Sequence, residues 1–220
     1  MIQDLTETTP LKRKNSGVKT IFFSGCLFCH KDLIGNLYLS RAIKTLSKGV
    51  YKVILSQDLQ GKETDAIKIK NNNLTNIRKM DGIMISFDGP ELDAGTVVEF
   101  ITAKVMDKPT VIYRTDFRSG GDVIDGMETA NPWNLMCSNY PRTEIVGHDA
   151  IISMYQELIL KYPQDHLKIS QDLTYIIAEK IVQKLDLAFA SQPTTRPEGL
   201  TDDLLHQWYK LMYTPTMVFF

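Results

Sequence analysis

The 220-residue sequence has no charge bias, with Lys and Arg numbering 25 against 26 Asp and Glu, a formal net charge of -1. A near-neutral chain carries no electrostatic footprint for DNA, RNA or an anionic membrane, so small molecules and other protein chains are the expected partners. Cysteine is scarce. Cys26, Cys29 and Cys137 are three in number, too few and of the wrong parity for a disulfide framework. The sequence also lacks an apolar run of membrane-spanning length. MIQDLTETTPLKRKNSG at its start has no apolar core of a secretory signal. A cytoplasmic protein with reduced thiols is therefore expected. His148, His166 and His206 stand alone with no ligand spacing, so neither a metal nor a cofactor is expected.

One short motif argues otherwise at first sight. Cys26-Leu27-Phe28-Cys29-His30 fits C-x-x-C-H, the attachment pattern of c-type haem. Haem attachment of that kind follows export, which the expected compartment excludes, and a structural zinc site would need a second ligand pair that one later cysteine does not supply. A thioredoxin-like dithiol and a pair of spectator thiols beside a strand end both remain.

What the sequence does have is alternation. KTIFFSG, YKVILSQ, DGIMISF, KPTVIYR and a shorter EIV are apolar strand-like runs. Between them lie helical patterns over Leu33–Leu46, about Thr64–Met80, Asp93–Met106 and about His148–Leu160. Strands alternating with helices predict an α/β fold, a three-layer doubly wound (Rossmann or flavodoxin-like) parallel sheet of about five strands. Such sheets bind ligands beyond the carboxyl ends of their strands. SGCLFCH, FDGPELDAGT and YRTDFRSGG lie at those ends. Glycine-rich residues 119–126 read as a lid. The expected organisation is a flexible arm over 1–17, a domain over 18–162 and a helical C-terminal extension over 163–220, containing DLTYIIAEKIVQKLDLAFA and DDLLHQWYKLMY.

The stretch from Asp88 to Glu99 is the most informative. Asp93 fits an N-cap, and Gly95 allows a close approach to the backbone. Glu99 sits among Val97, Val98, Phe100 and Ile101, so it faces solvent or it is a carboxylate in an apolar setting, which is expensive unless used. Six residues separate Asp93 from Glu99, a rise of about 9 Å along a helix, so both could border one pocket without touching.

D-x-G-T-x-x-E following a D-G-I-M-I strand resembles the signature of the nucleoside 2-deoxyribosyltransferase family. IFFSGCLF resembles the family's first strand and loop, VILSQD its second strand end, NLTNIRKMDGI the helix entering strand three, VIYRTDFR a fourth strand and lid, and NPWNLM its P-x-N-L-M segment. These similarities run in order over about Lys19–Tyr162. The resemblance implies that Glu99 attacks the anomeric carbon of a 2′-deoxynucleoside to give a covalent deoxyribosyl-enzyme. A free base then resolves it with retention. It implies Asp93 as a sugar or base contact and possible proton donor. Asn73 and Gln57 would read base or sugar, with Gly95 at the pocket. Phe22, Phe28 and Phe87 would form an apolar wall. Asn134 and Met136 would reach a neighbouring subunit's site, hence a homo-oligomer, a dimer or higher. Two departures stand out: Phe22 replaces a tyrosine that orients the glutamate in some members, and Asn73 replaces an aspartate. An amide cannot act as an acid, so protonation falls to Asp93 or water. Two alternatives stay open: an N-glycoside hydrolase of deoxynucleosides or their 5′-monophosphates on the same fold, and a non-catalytic nucleoside-binding or regulatory protein.

Overall fold

The computed structural model describes residues 17–59, 61–118, 131–147 and 151–212. The expected arm (save Gly17), the glycine-rich lid and His148 lie outside them. The elements in chain order are β1 (Lys19–Ser24), α1 (His30–Leu46), β2 (Tyr51–Leu55), the single turn α2 (Ser56–Leu59), α3 (Ala66–Lys79), β3 (Gly82–Ser86), α4 (Ala94–Val105), β4 (Thr110–Tyr113), β5 (Thr143–Val146), α5 (Ile151–Lys161), α6 (His166–Ala190) and α7 (Asp202–Met212). The five strands lie in the order β2-β1-β3-β4-β5, every pair parallel. This is the doubly wound sheet expected from the alternation. The order reverses between β1 and β3, so a crevice opens where their carboxyl ends diverge.

Side chains alternate across the sheet. Ile21, Phe23, Met84, Val111 and Tyr113 enter one core with α1 and α6. Phe22, Ile83, Ile85 and Ile112 enter the other with Ile77 of α3 and with Phe100 and Ala103 of α4. The long helix α6 belongs to the first layer, where Ala178, Ile181, Leu185 and Ala188 are fully buried. Ile181 and Leu185 each contribute about 1.5–3 kcal/mol by leaving water, and the alanines less. Gly82 is where α6 comes closest: a Cβ there would lie 2.9 Å from the Phe189 ring. On the outer side of α4, α7 forms an apolar groove through Val98, Ile101, Leu205 and Trp208.

Local signals explain the helix starts. Asp65 caps α3 through Ile67 and Lys68 N–H groups, Asp93 caps α4 through Thr96, and Asp165 caps α6 through Lys168. Side-chain acceptors at these positions satisfy donors that a first helical turn leaves open.

Candidate active site

Glu99 lies midway along α4, and its carboxylate turns toward the β1/β3 crevice. The Ser24 hydroxyl, on the last residue of β1, donates to its Oε2. Asn73 of α3 donates from Nδ2 to Oε1 at 3.0 Å. Three elements that are remote in sequence thus meet at one carboxylate, with a donor on each oxygen. Burial pushes the Glu99 carboxyl above the ordinary glutamate value; the Ser24 and Asn73 hydrogen bonds oppose this, and the nearby Asp93 charge adds to it. A desolvated anion held by two neutral donors keeps its charge uncancelled, which suits a nucleophile.

The orientation of Asn73 follows from chemistry. A carboxylate only accepts, so the amide must turn Nδ2 toward it. Its Oδ1 is buried and has no hydrogen-bond partner among the described residues. Beside Glu99 there is therefore an acceptor that awaits a donor.

Asp93 works in part as a cap, its Oδ2 accepting from Thr96 N at 2.7 Å and Thr96 Oγ1 at 2.9 Å. Gly95 is exposed in the first turn of α4, where a Cβ would lie 3.1 Å from that same oxygen. Gln57 is engaged on both ends of its amide: it accepts from Asn36 at 3.2 Å and donates to the Leu33 carbonyl at 3.0 Å. Asn36 also donates to the Cys26 carbonyl at 3.0 Å. These bonds fasten the loop after β1 to α1 and α2. Gln57 thus supports the crevice wall, with limited capacity left for a ligand.

The expected aromatic wall divides. Phe28, in the loop after β1, is 75% exposed. Phe22 and Phe87 are only 0% and 1% exposed, and a ring without exposed surface offers no stacking face. Phe22 belongs to the core beneath α3 and α4. Phe87 is edge-on to Phe100 and Trp133. Both are core residues here rather than a binding wall: Phe22 is inside a strand covered by helices, and Phe87, just past β3, is covered by Phe100 and Trp133.

Asn134 accepts from the Met136 N–H at 2.9 Å and so starts the short 3-10 turn Leu135–Cys137, which leaves Met136 68% exposed. Both residues line a cleft of about 530 Å³ with Pro90, Leu92, Val97 and the buried Arg114. Glu99 is not in its wall, since Val97 and Val98 occupy a different face of α4.

Sequence reasoning missed several residues that hold the site. Ser24 is one. Asp88 is another, accepting from Asp116 N at 2.8 Å and Thr115 Oγ1 at 2.9 Å and so tying the loops after β3 and β4. Asp88 does lie in the singled-out stretch; Ser24 shows only as a small polar residue closing an apolar strand. The three cysteines are free thiols. Burial, then the charges of Asp93, Asp32 and Asp88, push the Cys26 thiol up, away from thiolate reactivity. No group of residues suited to a metal ion occurs among the described residues, and no described helix is long and apolar enough to cross a membrane.

Residues 21–136, just over half of the chain, match the sequence profile of a family described as nucleoside 2-deoxyribosyltransferase. Among solved structures, a conserved protein from Enterococcus faecalis V583 is similar at 23% identity and a TM-score of 0.48, over 67% of this chain and 99% of that one. A 2-deoxyribosyltransferase from Leishmania mexicana is similar at 25% identity and a TM-score of 0.44, over 66% and 99%. A 2-deoxyribosyltransferase from Bacillus psychrosaccharolyticus is similar at 18% identity and 0.39, over 50% and 80%. No curated protein matches the chain.

Proposed function

Because the chain belongs to the nucleoside 2-deoxyribosyltransferase family, we propose that it exchanges the base of 2′-deoxyribonucleosides through a covalent deoxyribosyl-Glu99 intermediate, with retention at C1′. The observation that carries this reading is the Glu99 carboxylate, desolvated at the β1/β3 crevice with a donor on each oxygen. In the first step a Glu99 oxygen bonds to C1′ as the C1′–N bond breaks. The electron pair goes to the base nitrogen, which takes up a proton. In the second step a nitrogen of the incoming base attacks C1′ from the opposite face, Glu99 leaves as carboxylate, and the base loses its proton. Two inversions give net retention, the logic of retaining glycosidases.

Asp93 contacts a sugar hydroxyl or the base and is a candidate proton donor, with water as the other. Asn73 Oδ1, the unmatched acceptor beside the nucleophile, takes a substrate N–H or O–H. Phe28 stacks on the base. Exposed Met136 and Leu135 and the apolar cleft beside α4 suit a homo-oligomer in which Asn134 and Met136 complete a neighbour's site in trans and help exclude water. The family domain is taken as 18–162, with 163–220 as a helical C-terminal extension whose α6 packs into the first core layer.

The test is product analysis with deoxyinosine, with and without free adenine, alongside Glu99→Ala. Deoxyadenosine formed only with adenine, and lost in the variant, is the expected result. Free deoxyribose regardless of acceptor would indicate a hydrolase, and turnover by Glu99→Ala would refute the nucleophile. Mass spectrometry after exposure to a 2-fluoro-2-deoxy nucleoside should find the sugar on Glu99; binding without adduct or turnover would indicate a non-catalytic protein. Light scattering should give a dimer or larger, and a fully active monomer would remove the trans arrangement.

A further inference from the structure

We propose that Ser24 is the positioning residue of the nucleophile, its hydroxyl fixing the direction of the Glu99 carboxylate and sustaining its charged form. The inference rests on the reading of Glu99 given above. Ser24 is fully buried on the same face of β1 as Phe22, the face toward α3 and α4. A buried hydroxyl needs a partner, and the partner is Glu99 Oε2. Its backbone is held by the parallel pairing of Ser24 with Ile85 of β3. Directly after it, Gly25 passes so close to β3 that an added Cβ would lie 2.8 Å from the Ser86 Cβ. The hydroxyl therefore projects from a point with little freedom, at the switch point of the sheet.

Asn73 alone could not orient the carboxylate, because a single donor leaves the group free to swing about that contact. A second donor from a different element removes the rotation. A neutral hydroxyl does so without cancelling charge, as a lysine or arginine would. Each carboxylate oxygen keeps a second lone pair, so C1′ can be approached while both hydrogen bonds persist. When the incoming base displaces Glu99 and its charge returns, the Ser24 donor is already in place. The hydroxyl also answers the question raised by Phe22, which lacks the hydroxyl that a tyrosine would bring.

The experiment compares Ser24→Ala and the nearly isosteric Ser24→Cys, whose thiol is a weak donor, with wild type and Glu99→Gln. Readouts are kcat, KM, the pH profile of kcat/KM and melting temperature. A positioning role lowers kcat on the order of 10- to 100-fold in both Ser24 variants, with KM changed less than about threefold and melting retained in the cysteine variant. The acid limb of kcat/KM moves to higher pH, since a donor favouring the carboxylate is gone. Wild-type kcat and pH profile in Ser24→Cys would overturn the proposal, because shape alone would then suffice. If Glu99→Gln still transfers deoxyribose, the nucleophile assignment fails and this proposal with it. An inactive Glu99→Gln beside unimpaired Ser24 variants would refute the Ser24 role alone.

Discussion

At the N-terminal ends of the strands Lys104 donates to the Lys108 carbonyl, Thr110 Oγ1 and the Arg142 carbonyl, at 2.9, 3.1 and 3.5 Å. Asp107 accepts from Arg142 at 2.8 Å and from Thr194 N and Oγ1 at 3.0 and 2.6 Å. Asp81 accepts from Thr20 N and Oγ1. Charges at that end are surrounded by partners within the chain. At the C-terminal ends Glu99 has two neutral donors and no cation among its described hydrogen bonds. Asn73 Oδ1 has no partner there. The C-terminal end has matched groups too, Asp88 among them, but beside Glu99 it leaves Asn73 Oδ1 unmatched, and in that sense it is the unsaturated end. Unmatched polar groups cost stability, and they persist where a substrate or a reaction uses them.

The sharpest way to test that contrast is Glu99→Gln, which should cut transfer by at least about 1,000-fold while making the protein more stable at neutral pH. Burial raises the Glu99 carboxyl in the folded state, so the folded chain holds that proton more tightly than the unfolded chain. Stability from this group is full at acid pH and falls as pH rises from the ordinary glutamate value through the folded one. The glutamine variant escapes that fall. It should gain on the order of 0.5–2 kcal/mol at pH 7, the range common to single stabilising substitutions, and nothing below pH 4. Denaturant titrations at the two pH values decide it; a variant less stable at pH 7 would mean the carboxylate is structural.

Asp107→Ala is the counterpart at the saturated end. It removes the carboxylate paired with Arg142, whose guanidinium keeps its bonds to the residue-107 carbonyl and Ser191 Oγ, frees Thr194 and places alanine at a backbone φ of 52°, a region that favours glycine, asparagine and aspartate. A loss of about 2 kcal/mol is expected, with transfer per folded molecule unchanged. Hydrogen bonds from Thr194 and Arg142 hold the Asp107 carboxyl below its ordinary value against the opposing effect of burial. Its stabilisation is therefore present above the usual aspartate value and lost as pH falls through the folded one. Altered transfer in the folded variant would show that the ends are coupled.

The contrast also explains what the sequence made legible. The sheet could be read because doubly covered parallel strands are continuous apolar runs, and the helices because Asp93 and its kind mark their starts. Glu99 stood out as a charge within VVEFI. Ser24 did not, since a serine closing a strand is common and its partner lies 75 residues away; only the fold brings them together. Gln57 looked like a ligand contact, yet its amide is engaged by Asn36 and Leu33, a tertiary fact that spacing does not encode. Phe22 and Phe87 were expected at the ligand from position alone. Phe22 lies inside β1 under the helices, and Phe87, one residue past β3, is closed in by Phe100 and Trp133, a burial that chain position does not reveal.

Asp93 belongs to both descriptions, and separating its two roles is the finest test. Asparagine caps a helix as well as aspartate does, so Asp93→Asn should keep the bonds to Thr96 and leave stability within about 0.5 kcal/mol, whereas Asp93→Ala should lose about 1 kcal/mol with the cap. The charge acts separately. Asp93 disfavours the ionised form of Glu99, so neutralising it should move the acid limb of kcat/KM to slightly lower pH, opposite to the Ser24 variants. A sugar hydroxyl received by this carboxylate would add a rise in KM in both Asp93 variants. If Asp93→Asn leaves KM and the pH profile untouched, the residue is a cap alone, and the unsaturated end of the sheet shrinks to Glu99 and Asn73.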